Sequence, residues 1–264
     1  MKNKITNPLI SIIMNCHNGE KYLKKSLKSI FSQTYKNWEL IFWDNCSTDN
    51  SMKIIKSYQL KDKRIKYFKH YSFTKLYQAR NLALKKTNGD YVSFLDTDDW
   101  WHNERLMKQV EVLRKNNEIK FIYSKYLTYN QTKKKLFNNF KSRLESGFVT
   151  KKLLKKYLVG IVTVLIKKDL LEKNQFNEEY NIIGDFDLFM NLSLKIKFYA
   201  IQQPLAYYRL HSENYSNLNL KEYISELKYW IKNNKKKYEK IDISLIYPWL
   251  KLKKLQIESF FAFR

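Results

Sequence analysis

Glycine and proline are scarce, five and three in 264 residues, while 16% of the chain is aromatic. That excludes collagen-like repeats and argues against a disordered chain. The two cysteines, Cys16 and Cys46, are too few for a disulfide framework and read as reduced thiols of a cytosolic protein. No apolar run approaches the roughly 20 residues that span a bilayer. The N-terminal MKNKITNPLISIIMN joins basic residues to an apolar run, but that run is too short for a secretory h-region and carries Pro8. Acidic residues are also in deficit, 25 against 50 basic, for a net charge of +25. Such an excess attracts polyanions of any kind, so charge alone chooses no partner.

What the chain does have is alternation. LISIIM (9–14), WELIFWD (38–44), IKYF (65–68) and YVSFLD (91–96) are short β-branched or aromatic runs that read as buried strands. Between them lie helical patterns. The first runs from Gly19 to Gln33 with Asn18 placed to cap it, the second covers 47–60 and opens on Ser47, Thr48 or Asp49, and the third covers 76–86. A fourth follows at 104–115. Strands and helices in this order predict an α/β fold with a mostly parallel central sheet. Ligands of such sheets bind beyond the carboxyl ends of the strands. There the sequence places Asn15-Cys16-His17-Asn18, Asp44-Asn45, His70 and Asp96-Thr97-Asp98-Asp99. Further strands are expected at 121–130, within 136–149, at 162–168 and at 198–211, with a helix at 185–195. From about Leu220 the pattern is helical, basic and aromatic.

SFLDTDDWW (93–101) sets three carboxylates within four positions. Two unit charges about 5 Å apart repel by roughly 3 kcal/mol at an effective dielectric near 20. Asp96 and Asp98 are two apart, so an extended backbone would project both from one side. Oxygen ligands so placed, with room for water and phosphate, suit Mg²⁺ or Mn²⁺. A capped turn explains one such aspartate, through Asp98 or Asp99 at the start of the next helix, but not three.

Four stretches carry a family resemblance. ISIIMNCHNGEKYLKKSLKSIFSQTYKNWELIFWDNCSTDNS resembles the opening of glycosyltransferase family 2 enzymes, and LYQARNLALKKTNGDYVSFLDTDDWW continues it with "ARN" and "D-x-D-D" elements. IIGDFDLFMNLSL is similar to the segment bearing that family's catalytic carboxylate, and PLAYYRLHSENYS to its late "YRxH" element. The resemblance covers roughly residues 8 to 217. It implies a GT-A fold, which is Rossmann-like, followed by a helical C-terminal extension. The catalytic domain is placed at 1–217, with a nucleotide-sugar half at about 8–117 and an acceptor half at about 118–217, and the extension at 218–264. Implied too are inverting chemistry, a UDP-sugar donor, a glycan or lipid-linked glycan acceptor in bacterial-type surface polysaccharide or lipooligosaccharide synthesis, and Mn²⁺ or Mg²⁺ as cofactor. The chain departs from the family's usual pattern in Asn15-Cys16-His17, in Asp44-Asn45-Cys46, and in Gly184-Asp185 where Glu-Asp is common.

Residue by residue, the resemblance implies that Asp44 meets the uracil edge, and that Asn15, His17 and Asn18 line the uridine pocket with Thr97 close by. Arg80 is placed near the base or the carboxylates. Asp96 approaches ribose and metal, Asp98 ligates the metal, and His211 is a further metal or diphosphate contact. Asp185 is the catalytic base, with a helix cap as its competing role. Asp187 is about 200° round the helix and ranks second. Trp100 and Trp101 either stack on a sugar or pack beneath the acidic turn. Neither cysteine has a base beside it, which argues against a thiol nucleophile. The lysine cluster 235–237 and LKLKKL (250–255) fit an anionic membrane surface on the inner face of the cytoplasmic membrane, and fit a solvated helix face equally well. Two rival classes stay open. A nucleotidyltransferase acting on a sugar phosphate would show a glycine-rich phosphate loop, for which Gly19 alone does not suffice. A nucleic-acid-binding protein accounts for the charge but not for an acidic pocket.

Overall fold

The structure, a computed structural model, describes residues 7–262. The basic residues that open the N-terminal segment, and the last two of the C-terminal extension, lie outside the described residues.

The chain begins with the expected alternation: β1 (Ile10–Cys16), α1 (Glu20–Phe31), β2 (Trp38–Asn45), α2 (Ser51–Gln59), β3 (Ile65–His70), α3 (Leu76–Leu84) and β4 (Tyr91–Phe94). A two-residue strand, β5 (Trp100–Trp101), precedes α4 (Arg105–Lys115). Next come β6 (Phe121–Asn130), β7 (Lys135–Phe137), α5 (Thr150–Lys155), a 3₁₀ turn at Ile161–Thr163, β8 (Leu165–Lys167) and α6 (Lys168–Lys173). The chain closes with α7 (Gly184–Ser193), β9 (Tyr199–Leu210), α8 (Tyr215–Leu218), α9 (Leu220–Glu239) and α10 (Ile246–Ala262).

The strands form one sheet in the order β3-β2-β1-β4-β8-β6-β9-β5, with β7 on β6. Pairing is parallel from β3 to β4 and again between β6 and β9. The short β8 runs antiparallel between β4 and β6 and joins the two parallel parts. Period-two alternation splits the core into layers. Ile10, Ile12 and Met14 of β1 and Leu40 and Phe42 of β2 pack on one face with α1 and α4. Ile13, Ile41 and Trp43 face the other, with α3 and α7.

Local starts differ from expectation. Asn18 does not cap α1. It adopts a left-handed φ of 54°, and its Oδ1 accepts the Thr48 N–H at 2.8 Å. The first turn of α1 is served instead by Asp49, whose Oδ2 accepts the Glu20 N–H at 2.9 Å. Glu20 Oε2 in turn accepts the Asn50 N–H at 3.0 Å. The N-termini of α1 and α2 therefore cap each other across the chain, which satisfies donors that each helix leaves open.

The segment after residue 217 is more than an appendage. Trp230 and Tyr238 of α9 enter the same core layer as α3 and α7, while α10 lays Leu252 and Leu255 against Leu227 of α9. Among the described residues no helix is long and apolar enough to cross a membrane.

Candidate active site

A cleft of about 540 Å³ opens at the carboxyl ends of β1, β2 and β4, walled on its other side by α3, the start of α7 and the segment after β9. Asn15, His17, Arg80, Asp96, Thr97, Asp98 and Asp185 all line it. Asn18, Asp44, Trp100, Trp101 and His211 are not among its lining residues.

The acidic stretch is a turn rather than an extended strand. β4 ends at Phe94, and the Asp99 N–H closes on the Asp96 carbonyl at 3.2 Å. The three carboxylates consequently point to three different partners. Asp96 accepts from one Arg80 guanidinium nitrogen through both oxygens, at 2.8 and 3.1 Å. Asp98 Oδ2 lies 3.0 Å from His211 Nε2. Asp99, only 3% exposed, accepts the Arg209 N–H at 2.8 Å. Burial, then the neighbouring Asp98 and Asp96, push the Asp99 carboxyl well above the usual carboxylate range. Crowding of the three carboxylates opposes their ionisation, and a cation at the turn would relieve it.

Among the described residues, no three His, Cys, Asp or Glu side chains are grouped to hold an ion. The three-ligand set of Asp96, Asp98 and His211 is therefore not assembled, because Arg80 holds both Asp96 oxygens. Asp98 and His211 do fit. Their 3.0 Å separation matches the edge of an octahedron with metal bonds of about 2.1 Å. Asp98 faces the cleft, so the remaining positions are open to water or diphosphate oxygens.

Across the cleft, Asp185 sits in the first turn of α7. Its Oδ1 accepts the Phe186 N–H at 2.8 Å and the Tyr77 hydroxyl at 3.2 Å. Burial pushes its carboxyl above the ordinary aspartate value, against Arg80 and these hydrogen bonds, which pull it down. Such a group binds a proton more readily than a surface carboxylate. The competing cap role is not the one it fills: α7 begins at Gly184 with Ile183 as N-cap and no side-chain cap bond, and the Asp185 side chain lines the cleft. Asp187 leaves the site: its Oδ1 accepts the Trp230 indole N–H at 2.9 Å. Gly184 is required by Tyr77, since a Cβ there would lie 2.4 Å from Tyr77 Cδ2.

The loop before α7 is held from outside. Glu226 of α9 accepts backbone N–H groups of Asn181, Ile182 and Ile183 at 2.5, 3.0 and 3.0 Å. Asn181 Oδ1 accepts the Leu76 N–H at 3.1 Å, which ties the same loop to α3. Neither Glu226 nor Tyr77 carries a motif signature in the sequence. Tyr77 lies two residues before the first residue of "ARN", and its helical spacing places it with the core positions Arg80, Asn81 and Leu84.

At the opposite end the assignments shift by one residue. Asp44 is fully buried, its two oxygens taken by the Ser47 N–H and the Tyr67 hydroxyl, both at 2.8 Å. Fully buried and absent from the cleft lining, it does not face a ligand there. Asn45 lines the cleft in its place, beside His17, whose Nδ1 lies 2.9 Å from the Asn45 carbonyl. The His17 ring meets Phe73 edge-on at 4.7 Å. The Asn15 Nδ2 amide is buried without a hydrogen-bond partner, a donor that calls for an acceptor at the cleft wall. Cys16 also lines the cleft, and burial pushes its thiol up, so it stays protonated.

Neither tryptophan is placed for sugar stacking. The Trp101 indole donates to the Val162 carbonyl at 2.9 Å, with the Arg105 guanidinium 3.9 Å over its ring. Trp100 stacks on Tyr207 at 5.1 Å, and the Lys25 ammonium sits 3.3 Å from its ring. Arg80 is 2% exposed, so its pair with Asp96 is anchored in the interior and is not a surface ion pair.

Comparison with known proteins agrees with this geometry. The family model described as Glycosyl transferase family 2 matches residues 11–173. An uncharacterized glycosyltransferase of Haemophilus influenzae is 46% identical over 114 residues, which are 42% of this chain and 44% of that relative. The chain thus spans under half the length of that relative. The Escherichia coli UDP-Glc:alpha-D-GlcNAc-diphosphoundecaprenol beta-1,3-glucosyltransferase WfgD is 32% identical over 216 residues, covering 81% of this chain and 82% of its own. The crystal structure of S. aureus TarS 1-349 in complex with UDP-GlcNAc has the same fold, with a TM-score of 0.68 at 18% identity over 83% of this chain and 64% of that chain.

Proposed function

Because the chain belongs to glycosyl transferase family 2, we propose that it transfers a sugar, with inversion, from a UDP-sugar to a hydroxyl of a lipid-linked or surface glycan. The observation that carries this reading is the sharing of one cleft by Asp185 and the acidic turn at Asp96–Asp99. WfgD names a UDP-sugar donor and a lipid diphosphate acceptor, and the TarS complex holds UDP-GlcNAc; both support the donor and acceptor classes.

In this reading the acceptor oxygen bonds to the anomeric carbon as the bond from that carbon to UDP breaks. The acceptor proton passes to Asp185. Burial strengthens the carboxylate as a base, and general-base assistance of this kind is worth about 10²–10⁴ in rate. Arg80, held against Asp96, brings a fixed positive charge between base and diphosphate. Asn15 and His17 supply polar contacts for the nucleoside, and Asn45 holds Thr74 at the cleft wall. Asp98 and His211 would hold Mn²⁺ or Mg²⁺, which when bound offsets leaving-group charge. The two cysteines are free, which supports placing the reaction on the cytoplasmic side.

Calorimetric titration with UDP, GDP and dTDP, with and without Mn²⁺, tests the proposal. UDP is expected to bind most tightly and to gain affinity with the metal. Equal binding of all three, or binding indifferent to metal, overturns the donor and cofactor assignments.

A further inference from the structure

α10 carries two apolar seams. One, at Pro248, Leu252 and Leu255, is buried. The other is not: Ile246, Trp249, Leu250, Ile257 and Phe261 range from 44% exposed at Trp249 to 68% at Phe261. At 100° per residue these five fall within an arc of about 120°, roughly opposite the buried seam. Exposed Lys253 lies within the arc, and Lys251 and Lys254 lie outside it. Glu258 is the one carboxylate on the helix, 3.7 Å from the Lys254 ammonium. The basic border continues on α5, where Lys151, Lys152 and Lys155 are exposed and the Lys155 ammonium stands 5.9 Å from the Tyr247 ring.

An exposed apolar arc this continuous is unusual on a protein that faces only water. Charge decides its occupant. A second copy would set Lys253 and Lys254 against their own counterparts, on a chain already at +25. An anionic bilayer answers both features, since it takes apolar side chains into the acyl boundary and pairs lysines with phosphates. Tyr247 and Trp249 have the amphipathic rings that settle at headgroup depth.

We propose that the exposed face of α10, bordered by the α5 lysines, docks the protein on an anionic phospholipid surface. The proposal goes beyond the transfer reaction and does not depend on it. α5 packs against both α10 and α7, so the docked bilayer would lie one helix away from the helix that carries Asp185.

The test is flotation of the full chain with phosphatidylcholine vesicles, with and without about one third phosphatidylglycerol. The wild-type protein is expected to float with the anionic vesicles only, and less as salt rises. Trp249→Gln/Leu250→Gln/Ile257→Gln is expected to weaken that binding by about tenfold or more, with UDP affinity unchanged. Lys251→Glu/Lys254→Glu lies outside the arc, keeps the apolar face and is expected to lose the preference for anionic vesicles. It carries the test if the triple variant fails to fold. Absence of flotation, or variants that float as well as wild type, overturns the proposal. So does a sedimenting dimer that dissociates in the triple variant, which would assign the face to a second copy.

Discussion

The Tyr77 hydroxyl shares its proton between the Ile182 carbonyl at 3.0 Å and Asp185 Oδ1 at 3.2 Å, linking α3 to α7 across 108 residues of chain. The bond to Asp185 favours the ionised carboxylate, while burial favours the protonated form and prevails. A base works ionised, so activity is expected to fall as pH drops through the raised Asp185 value. Tyr77→Phe removes a downward influence and should move the acid limb of kcat to higher pH. Asp185→Asn should keep UDP affinity and lose about 10²–10⁴ in kcat. Rate-against-pH profiles of the three proteins check both outcomes; a limb that does not move in Tyr77→Phe assigns it to another group.

Arg80→Met leaves Asp96 without its partner. Breaking a fully buried pair costs about 3–5 kcal/mol. Asp96 is 35% exposed to the cleft and can rehydrate, so a loss nearer about 2 kcal/mol is expected in urea unfolding. A change below about 0.5 kcal/mol would show the pair to be energetically idle.

Asp44 and Asn45 should separate stability from recognition. Asp44→Ala strands the Ser47 N–H and the Tyr67 hydroxyl, at a cost of about 1–3 kcal/mol, and should leave donor KM near wild type. Asn45→Ala releases Thr74, which lines the cleft and is held by both ends of the Asn45 amide, and should raise donor KM by roughly 2- to 10-fold, the worth of one hydrogen bond. Thermal unfolding and donor titration of the pair decide the matter, and a reversed pattern would return Asp44 to the nucleobase.

Glu226→Gln turns one acceptor into a donor facing backbone N–H groups. It is expected to cost about 1–3 kcal/mol of stability and to lower kcat without changing UDP affinity, because the 181–183 loop leads into Asp185. A rise in the UDP dissociation constant with unchanged kcat would contradict a positioning role.

The fold class was legible because each half of β1–α1–β2–α2–β3–α3–β4 shows its own period and stops at a polar residue. β8 was legible within the strand expected at 162–168, but only Leu165–Lys167 pairs, because Ile161–Thr163 forms a 3₁₀ turn, and its antiparallel sense is set by its neighbours. In the site, residue types were readable and side-chain directions were not. The extended-strand argument for Asp96 and Asp98 fails because the chain turns after Phe94, so two-residue spacing no longer fixes a common side. Asp44 reads as the ligand-facing residue, yet Tyr67, 23 residues away, claims its carboxylate. Trp100 and Trp101 look like a sugar platform until Tyr207 of β9 arrives to stack on the first. Glu226 has no local signature at all, since its partners lie 43 to 45 positions earlier.

The absent side chain at Gly184 constrains how this site can change. The Tyr77 ring fills the space where any substituent at 184 would begin, and Tyr77 is 2% exposed with nowhere to retreat. The two positions form an interlock: one can grow only if the other shrinks. Gly184→Ala alone would evict the phenol, whereas a smaller residue at 77 makes room and gives up the hydroxyl on Asp185. A side chain at 184 is thus closed to this chain by any single step, and Asp185 keeps a tyrosine contact that a bulkier residue at 184 would displace.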